Sequence, residues 1–403
     1  MIYFFLIFIL IILSVNHEIT GFNKGKKILI FIIIFILAFN YQMGTDWISY
    51  QYFYENIIPN ISFFDIFNKK FNFEKGYILI NFLFYNLGFN YEMFIGTILG
   101  ICSYILLNII HKKSDNYYLS FAIFAMLYLI ITALEPVIRQ LIAITLISYA
   151  YKYIEKRKIF SYLIFIFIAF FFHKSAVIGF FIYFIPLIKI NLKNLIFVII
   201  GNYIFISYMP TIFKIFLKYS SSLSRYSYYF NSIKYGISQQ RSILGNIYNL
   251  IILCGYIYII FYCYQYSKKK SDLYKNMAVI YALVGYFQNL LPIFYRVNLY
   301  FTLGFSVCMG SVAKLHTPNN KIIKINHKKI GFLFIIILYF PFILGFSRIL
   351  LTELNKVRYL NYKNYFIEMV KGTLKKDFKE KRNGYEKIIE KLIEKENNTL
   401  RRE

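Results

Sequence analysis

A chain of 403 residues could hold two or three soluble domains, but 59% hydrophobic, 21% aromatic and only 16% charged residues exclude that reading. A soluble domain carries about 25% charged and about 45–50% apolar residues, so most of this chain must face lipid, as an all-α polytopic membrane protein. The formal charge of +27 goes with a composition rich in Ile, Phe, Tyr, Asn and Lys, the kind AT-rich coding produces; no nucleic-acid module accompanies it, so no nucleic-acid partner is expected.

A hydrocarbon core about 30 Å thick takes about 20 apolar residues as helix. The first run, 1–15, begins at Met1 without a basic region or a small-residue cleavage site. That predicts a retained helix, not a removed signal peptide. The second run is 28–43. Directly after it comes Gly44-Thr45-Asp46-Trp47-Ile48-Ser49-Tyr50-Gln51-Tyr52-Phe53-Tyr54, where an acid stands beside the chain's single tryptophan. Tyr50 and Tyr54 would share a helix face. A carboxylate with aromatic rings suits a sugar, with hydroxyls to the acid and the apolar face to a ring. The alternative is that Asp46 caps a helix and the rings form an interfacial belt.

The stretch 44–76 reads as a long outer loop. It runs on into an apolar stretch, 77–90, headed by Glu74-Lys75-Gly76-Tyr77. A full crossing there would put Lys112 and Lys113 outside, so the stretch is predicted to be re-entrant or interfacial. Glu74 could orient a hydroxyl or pair with a cation.

Further spans follow at 91–110, 117–134, 137–154, 159–172, 175–188 and 194–210. Glu135-Pro136-Val137-Ile138-Arg139-Gln140 separates two of them. Pro136 suits a first helical turn, which puts Arg139 about one turn below the outer surface. A guanidinium there needs an anion, either a phosphate held by its planar fork or Glu135. His173-Lys174-Ser175 interrupts two apolar runs at their outer junction. Histidine is the natural proton shuttle near neutral pH.

A second long outer loop, 211–243, carries Lys214, Lys218, Arg225, Lys234 and Arg241 and no acid. Spans at 244–266, 273–291, 297–313 and 330–346 complete about twelve helices. Tyr295-Arg296 enters the membrane after Pro292, much as Arg139 does. Two such arginines and an all-basic loop describe a site for a multiply charged anion; snorkelling to lipid headgroups is the plainer role for Arg296.

The four cysteines, Cys102, Cys254, Cys263 and Cys308, lie in or at the edge of apolar runs without metal-ligand spacing. They read as small apolar residues buried among helices, and neither a metal nor a cofactor is called for. The basic tail 347–403 stands apart from the transmembrane region 1–346. In it Tyr385, Ile388, Ile389, Leu392 and Ile393 recur at the spacing of an amphipathic surface helix. Lysine and arginine counts in the loops place the N-terminus outside and the Lys268–Lys270 run inside.

Five short motifs in order resemble the EpsG/Wzy family of O-antigen and exopolysaccharide polymerases: G-T-D-W-x-x-Y-x-x-F/Y at 44–54, E-K-G-Y at 74–77, R-Q-x-x-A at 139–143, H-K-S-A at 173–176 and Y-R-x-x-x-Y-F at 295–301. The family's usual Asp-Tyr is here Asp46-Trp47, which keeps an aromatic. The resemblance implies a bacterial inner-membrane enzyme related to the lipid-dependent GT-C glycosyltransferases, its active site facing the periplasm. The growing glycan would pass from undecaprenyl pyrophosphate onto an incoming undecaprenyl-pyrophosphate-linked repeat unit, among membrane lipid. A chain-length regulator protein is a further partner it leaves open. On this reading Arg139 and Arg296 stabilise the leaving pyrophosphate, and His173 or Asp46 takes the proton of the attacking hydroxyl. Glu74, Tyr50, Tyr54, Lys174, Tyr295, Arg225 and Arg241 contact substrate. An O-antigen ligase and a flippase for the same lipid-linked sugars are the other two classes; charges clustered at one surface favour an enzyme over a transporter.

Overall fold

Apolar runs with no alternation of period two fold as helices, because in lipid every backbone polar group must be satisfied within its own segment. The computed structural model describes residues 2–44, 46–68, 71–130, 137–191, 194–195, 197–201, 204, 208, 243–267, 269, 271–288, 294–310, 343, 347, 362–375, 379–383, 386–387 and 390. Among these the protein is all-helical, with one isolated antiparallel bridge between Asn40 and Asn364.

The chain divides into two compact units. The first holds residues 1–112, 116–177 and 317–403. Its helices are α1 (Ile2–Thr20), α2 (Lys26–Ala38), α3 (Trp47–Tyr52), α4 (Lys75–Asn86), α5 (Tyr91–Lys113, whose last residue falls in the second unit), α6 (Tyr117–Phe124), α7 (Ile138–Tyr149) and α8 (Ile159–Phe172). The second, 113–115 and 178–316, contains α9 (Ile243–Tyr266), α10 (Asp272–Gln288) and α11 (Thr302–Met309), which pack on one another. A short α12 (Tyr365–Val370) belongs to the first unit.

The faces of the helices are those of a protein in lipid. On α8, Tyr162, Ile166 and Ala169 are buried at helical spacing, while Phe160, Ile164 and Phe167 stand more than half exposed on the other side. On α1, Tyr3, Leu6, Ile7 and Leu10 are buried and Phe5 and Phe8 are exposed. Large outward apolar faces of this kind need a nonaqueous neighbour. Among the described residues one helix, α5, is by itself long and apolar enough to cross a membrane. Of the expected span 330–346 only residue 343 is described, of the loop 211–243 only residue 243, and the tail residues Tyr385, Ile388, Ile389, Leu392 and Ile393 lie outside the described residues.

The stretch 44–76 differs from the expected loop. It folds into α3, a wide turn over Phe53–Ile57, a tight turn over Ile58–Asn60 and a short helix Asp65–Asn68. Phe53, Ile58 and Ile66 pack with Ile78 of α4 into a small core. Their irregular spacing follows no single helical or strand period, so periodicity did not reveal it. With 12 residues, α4 is about 18 Å long, short of a bilayer's hydrocarbon thickness. Gly88, at φ +80°, ends it: a left-handed residue lets the Phe89 N–H return to the Phe84 carbonyl at 3.1 Å.

Candidate active site

Arg139 lies in the first turn of α7 and is half-buried. Its Nη1 donates to Glu74 Oε2 at 2.5 Å and its Nε donates to the Tyr50 hydroxyl at 3.2 Å. The guanidinium lies 5.0 Å from the centre of the Phe73 ring and 5.8 Å from that of Tyr50, in cation–π range of both. Tyr50 stacks on Phe73 at 5.4 Å and meets Tyr77 edge-on at 5.5 Å. Glu74 heads α4 but makes no capping bond there; its carboxylate serves the arginine instead. Burial pushes the Tyr50 hydroxyl above its ordinary pKa, and the neighbouring Arg139 pulls the other way.

Gly76 explains the glycine of the E-K-G-Y motif. A Cβ there would sit 2.8 Å from the carbonyl oxygen of Phe171, near the end of α8. Only a bare Cα lets the first turn of α4 lie against that backbone. The contact sets the end of α8, two residues before His173, against the start of α4, and α8 packs along α7 as well.

His173 follows α8 directly, and its Nδ1 receives the Ser175 N–H at 3.2 Å and lies 2.5 Å from Ser175 Oγ. With Nδ1 accepting the backbone N–H, Nε2 is the nitrogen that holds the proton of a neutral ring. The side chain thereby heads the tight turn Lys174–Val177 as a capping acceptor would, and Lys174 stands exposed on it.

Asp46 is exposed and immediately precedes α3 without a side-chain capping bond. It lines a cleft of about 710 Å³ with Ser49, Tyr52, Phe71, Asn72 and Phe73, a size that suits a small ligand. Phe73 is shared: it forms part of the cleft wall and it touches the Arg139 guanidinium.

Of the residues expected at the site, the fold therefore joins Glu74, Tyr50 and Arg139 directly, with Asp46 one turn before Tyr50 and His173 two residues beyond the Phe171 backbone that α4 touches. Arg139 pairs with Glu74, and Glu135, its expected alternative, lies outside the described residues. Tyr54, expected to contact substrate, is 1% exposed, donates to the Phe89 carbonyl at 2.8 Å and stacks on Phe94, so its ring is packed into the core. Trp47 is likewise buried, and aromatic lining of the cleft comes from exposed Tyr52 and half-buried Phe71 and Phe73. Phe73 could have been suspected as Glu74's neighbour; Phe71, Tyr52 and Asn72 carry no signal in the sequence. Tyr295 and the exposed Arg296 belong to the second unit. Arg225 and Arg241 lie outside the described residues.

The family model of the EpsG family matches residues 27–364. No curated protein and no solved structure matches the chain.

Proposed function

The chain belongs to the EpsG family, and from that premise we propose that it is a membrane polysaccharide polymerase working on lipid-linked sugars at the outer face of the bacterial inner membrane. The wider architecture in this reading is about twelve membrane helices, of the GT-C type. The observation that carries the reading is Arg139, fixed by Glu74 and Tyr50 beside a cleft whose wall holds a carboxylate and aromatic rings.

The reaction is displacement at an anomeric carbon. A hydroxyl of the incoming undecaprenyl-pyrophosphate-linked unit attacks. A new glycosidic C–O bond forms as the bond to the growing chain's lipid pyrophosphate breaks, and the pyrophosphate leaves with the electron pair. Asp46, exposed in the cleft, takes the hydroxyl proton. Arg139 stabilises the charge gathering on the leaving group; its Nε and Nη1 are engaged, and among the described residues Nη2 remains for a phosphate oxygen. His173, protonated on Nε2, is a donor to the same anion. Arg296 is a second candidate for this electrostatic work on the sequence pattern alone. No step calls for a metal.

The test is direct. Purified full-length protein in lipid is given lipid-linked repeat unit, and the products are resolved by size. A ladder of glycans at successive multiples of the unit supports polymerisation. Unit that stays single in active membranes overturns it in favour of transport or ligation.

A further inference from the structure

At the end of the family-matched residues and beyond them, the chain returns to the unit that holds this site. Tyr362 donates its hydroxyl to the Ile36 carbonyl at 2.9 Å. The Tyr365 N–H bonds the Phe39 carbonyl at 2.8 Å, and the Tyr41 N–H bonds the Lys363 carbonyl at 2.9 Å. Phe366 lies 4.7 Å from the ring of Phe39, and Asn90 donates to the Tyr365 hydroxyl at 2.8 Å. Further on, Lys381 Nζ meets Glu92 Oε1 at 2.7 Å, with both side chains buried to 6% and 13% exposure, and it lies 5.6 Å from the Tyr41 ring. A lysine is almost never this buried unless paired, so this is a built contact, unlike a surface charge pair. The next residue, Arg382, lines the cleft that holds Asp46.

We propose that residues 362–375 and 379–382 form a strap, clamped by Lys381 on Glu92, that makes Arg382 a substrate-contacting residue of the cleft. The ligand class is a saccharide. Arg382 supplies hydrogen-bond donors, Asp46 supplies acceptors, Ser49 and Asn72 supply both, and Tyr52, Phe71 and Phe73 offer apolar faces. Arg382 also donates to Glu386 at 2.8 Å on an exposed helix face. That pair is of the kind that contributes little to stability, so a change at Arg382 should read out in binding and leave folding intact. The identity of the saccharide as polymerase substrate rests on the proposed function; the clamp does not.

The experiment uses the full chain in lipid and, as probe, the lipid-linked oligosaccharide extracted from cells lacking this protein. Arg382→Gln is expected to raise KM about tenfold with kcat within about twofold, as loss of a ground-state contact does, and Arg382→Lys to recover part of it. Glu386→Gln, which breaks the same surface pair away from the cleft, is expected to leave both constants unchanged. An unchanged KM in Arg382→Gln, or an equal rise in Glu386→Gln, overturns the contact. The clamp has its own readout. Trp47, the single tryptophan, lines a small cavity together with Glu92, so Lys381→Met is expected to change Trp47 emission and its quenching by acrylamide. Unchanged emission and quenching overturn the strap. If wild-type protein makes no ladder yet Lys381→Met alters Trp47, the polymerase reading has failed and the strap stands.

Discussion

Arg139 and Glu74, 65 positions apart in the chain, form a half-buried ion pair in which Nη1 donates to Oε2. The pair joins the first turn of α7 to the start of α4. Neither residue is at ease alone. A buried guanidinium needs an anion, and a carboxylate at a helix start gains from the dipole but pairs better with a cation.

The two should therefore be energetically coupled. Glu74→Gln and Arg139→Gln are each expected to lower stability by about 1–3 kcal/mol, the range for losing a partner of a charged hydrogen bond. The double variant should lose less than the sum, by about 1 kcal/mol or more. Thermal unfolding of the four proteins in one detergent measures this. Strict additivity would mean the pair is incidental.

Gly76 provides a sharper structural test. Gly76→Ala sets a Cβ against the Phe171 backbone, which cannot give way as a side chain could. Overpacking of this kind costs about 1–3 kcal/mol, and it should also disturb the His173 turn and lower polymerisation. Gly88→Ala meets open space and suffers only its φ of +80°, a strain of about 1–2 kcal/mol. It should lose stability and keep its specific activity. Equal activities for the two variants would show that the α4–α8 contact does not position the site.

The helices were legible because lipid makes them obligatory: the run 159–172 coincides with α8, and 244–266 with α9 to within a residue. The site was legible in parts. Arg139, Glu74 and Asp46 stood out as charges beside apolar runs. What joins them did not. Nothing local in the sequence says that Glu74 meets Arg139, that Phe73 lies between arginine and cleft, or that Arg382, more than two hundred residues on, lines the same wall. The four-residue spacing of Tyr50 and Tyr54 did not say whether their shared face turns inward, and both are buried.

The two nitrogens of His173 can be separated by substitution. Asparagine keeps a short acceptor in reach of the Ser175 N–H and removes the Nε2 donor. Glutamine places an N–H near Nε2 and gives up the cap. His173→Asn is then expected to unfold at the wild-type temperature and to lose about tenfold or more in turnover, whereas His173→Gln should lose about 0.5–2 kcal/mol of stability and keep more of its activity. The reverse order would place the useful nitrogen at Nδ1 and restore His173 as a base.

Asp46 decides between chemistry and transport. As the base in the cleft, it should be needed for bond formation and dispensable for moving its substrate. Asp46→Asn keeps the size and hydrogen-bonding reach of the side chain and removes its capacity to accept a proton. Loss of a general base costs about 10²–10⁴ in rate, far more than a single neutral hydrogen bond exchanged for another. A strain carrying Asp46→Asn is therefore expected to deliver single lipid-linked repeat units to the outer face, where a ligase can still use them, and to show no long ladder. Gel analysis of the surface glycolipid reads both quantities at once. Long chains at normal abundance would remove Asp46 from the mechanism. Loss of the single-unit glycolipid too, with normal protein levels, would mean that the unit never reached the outer face and that the protein moves its substrate without joining it.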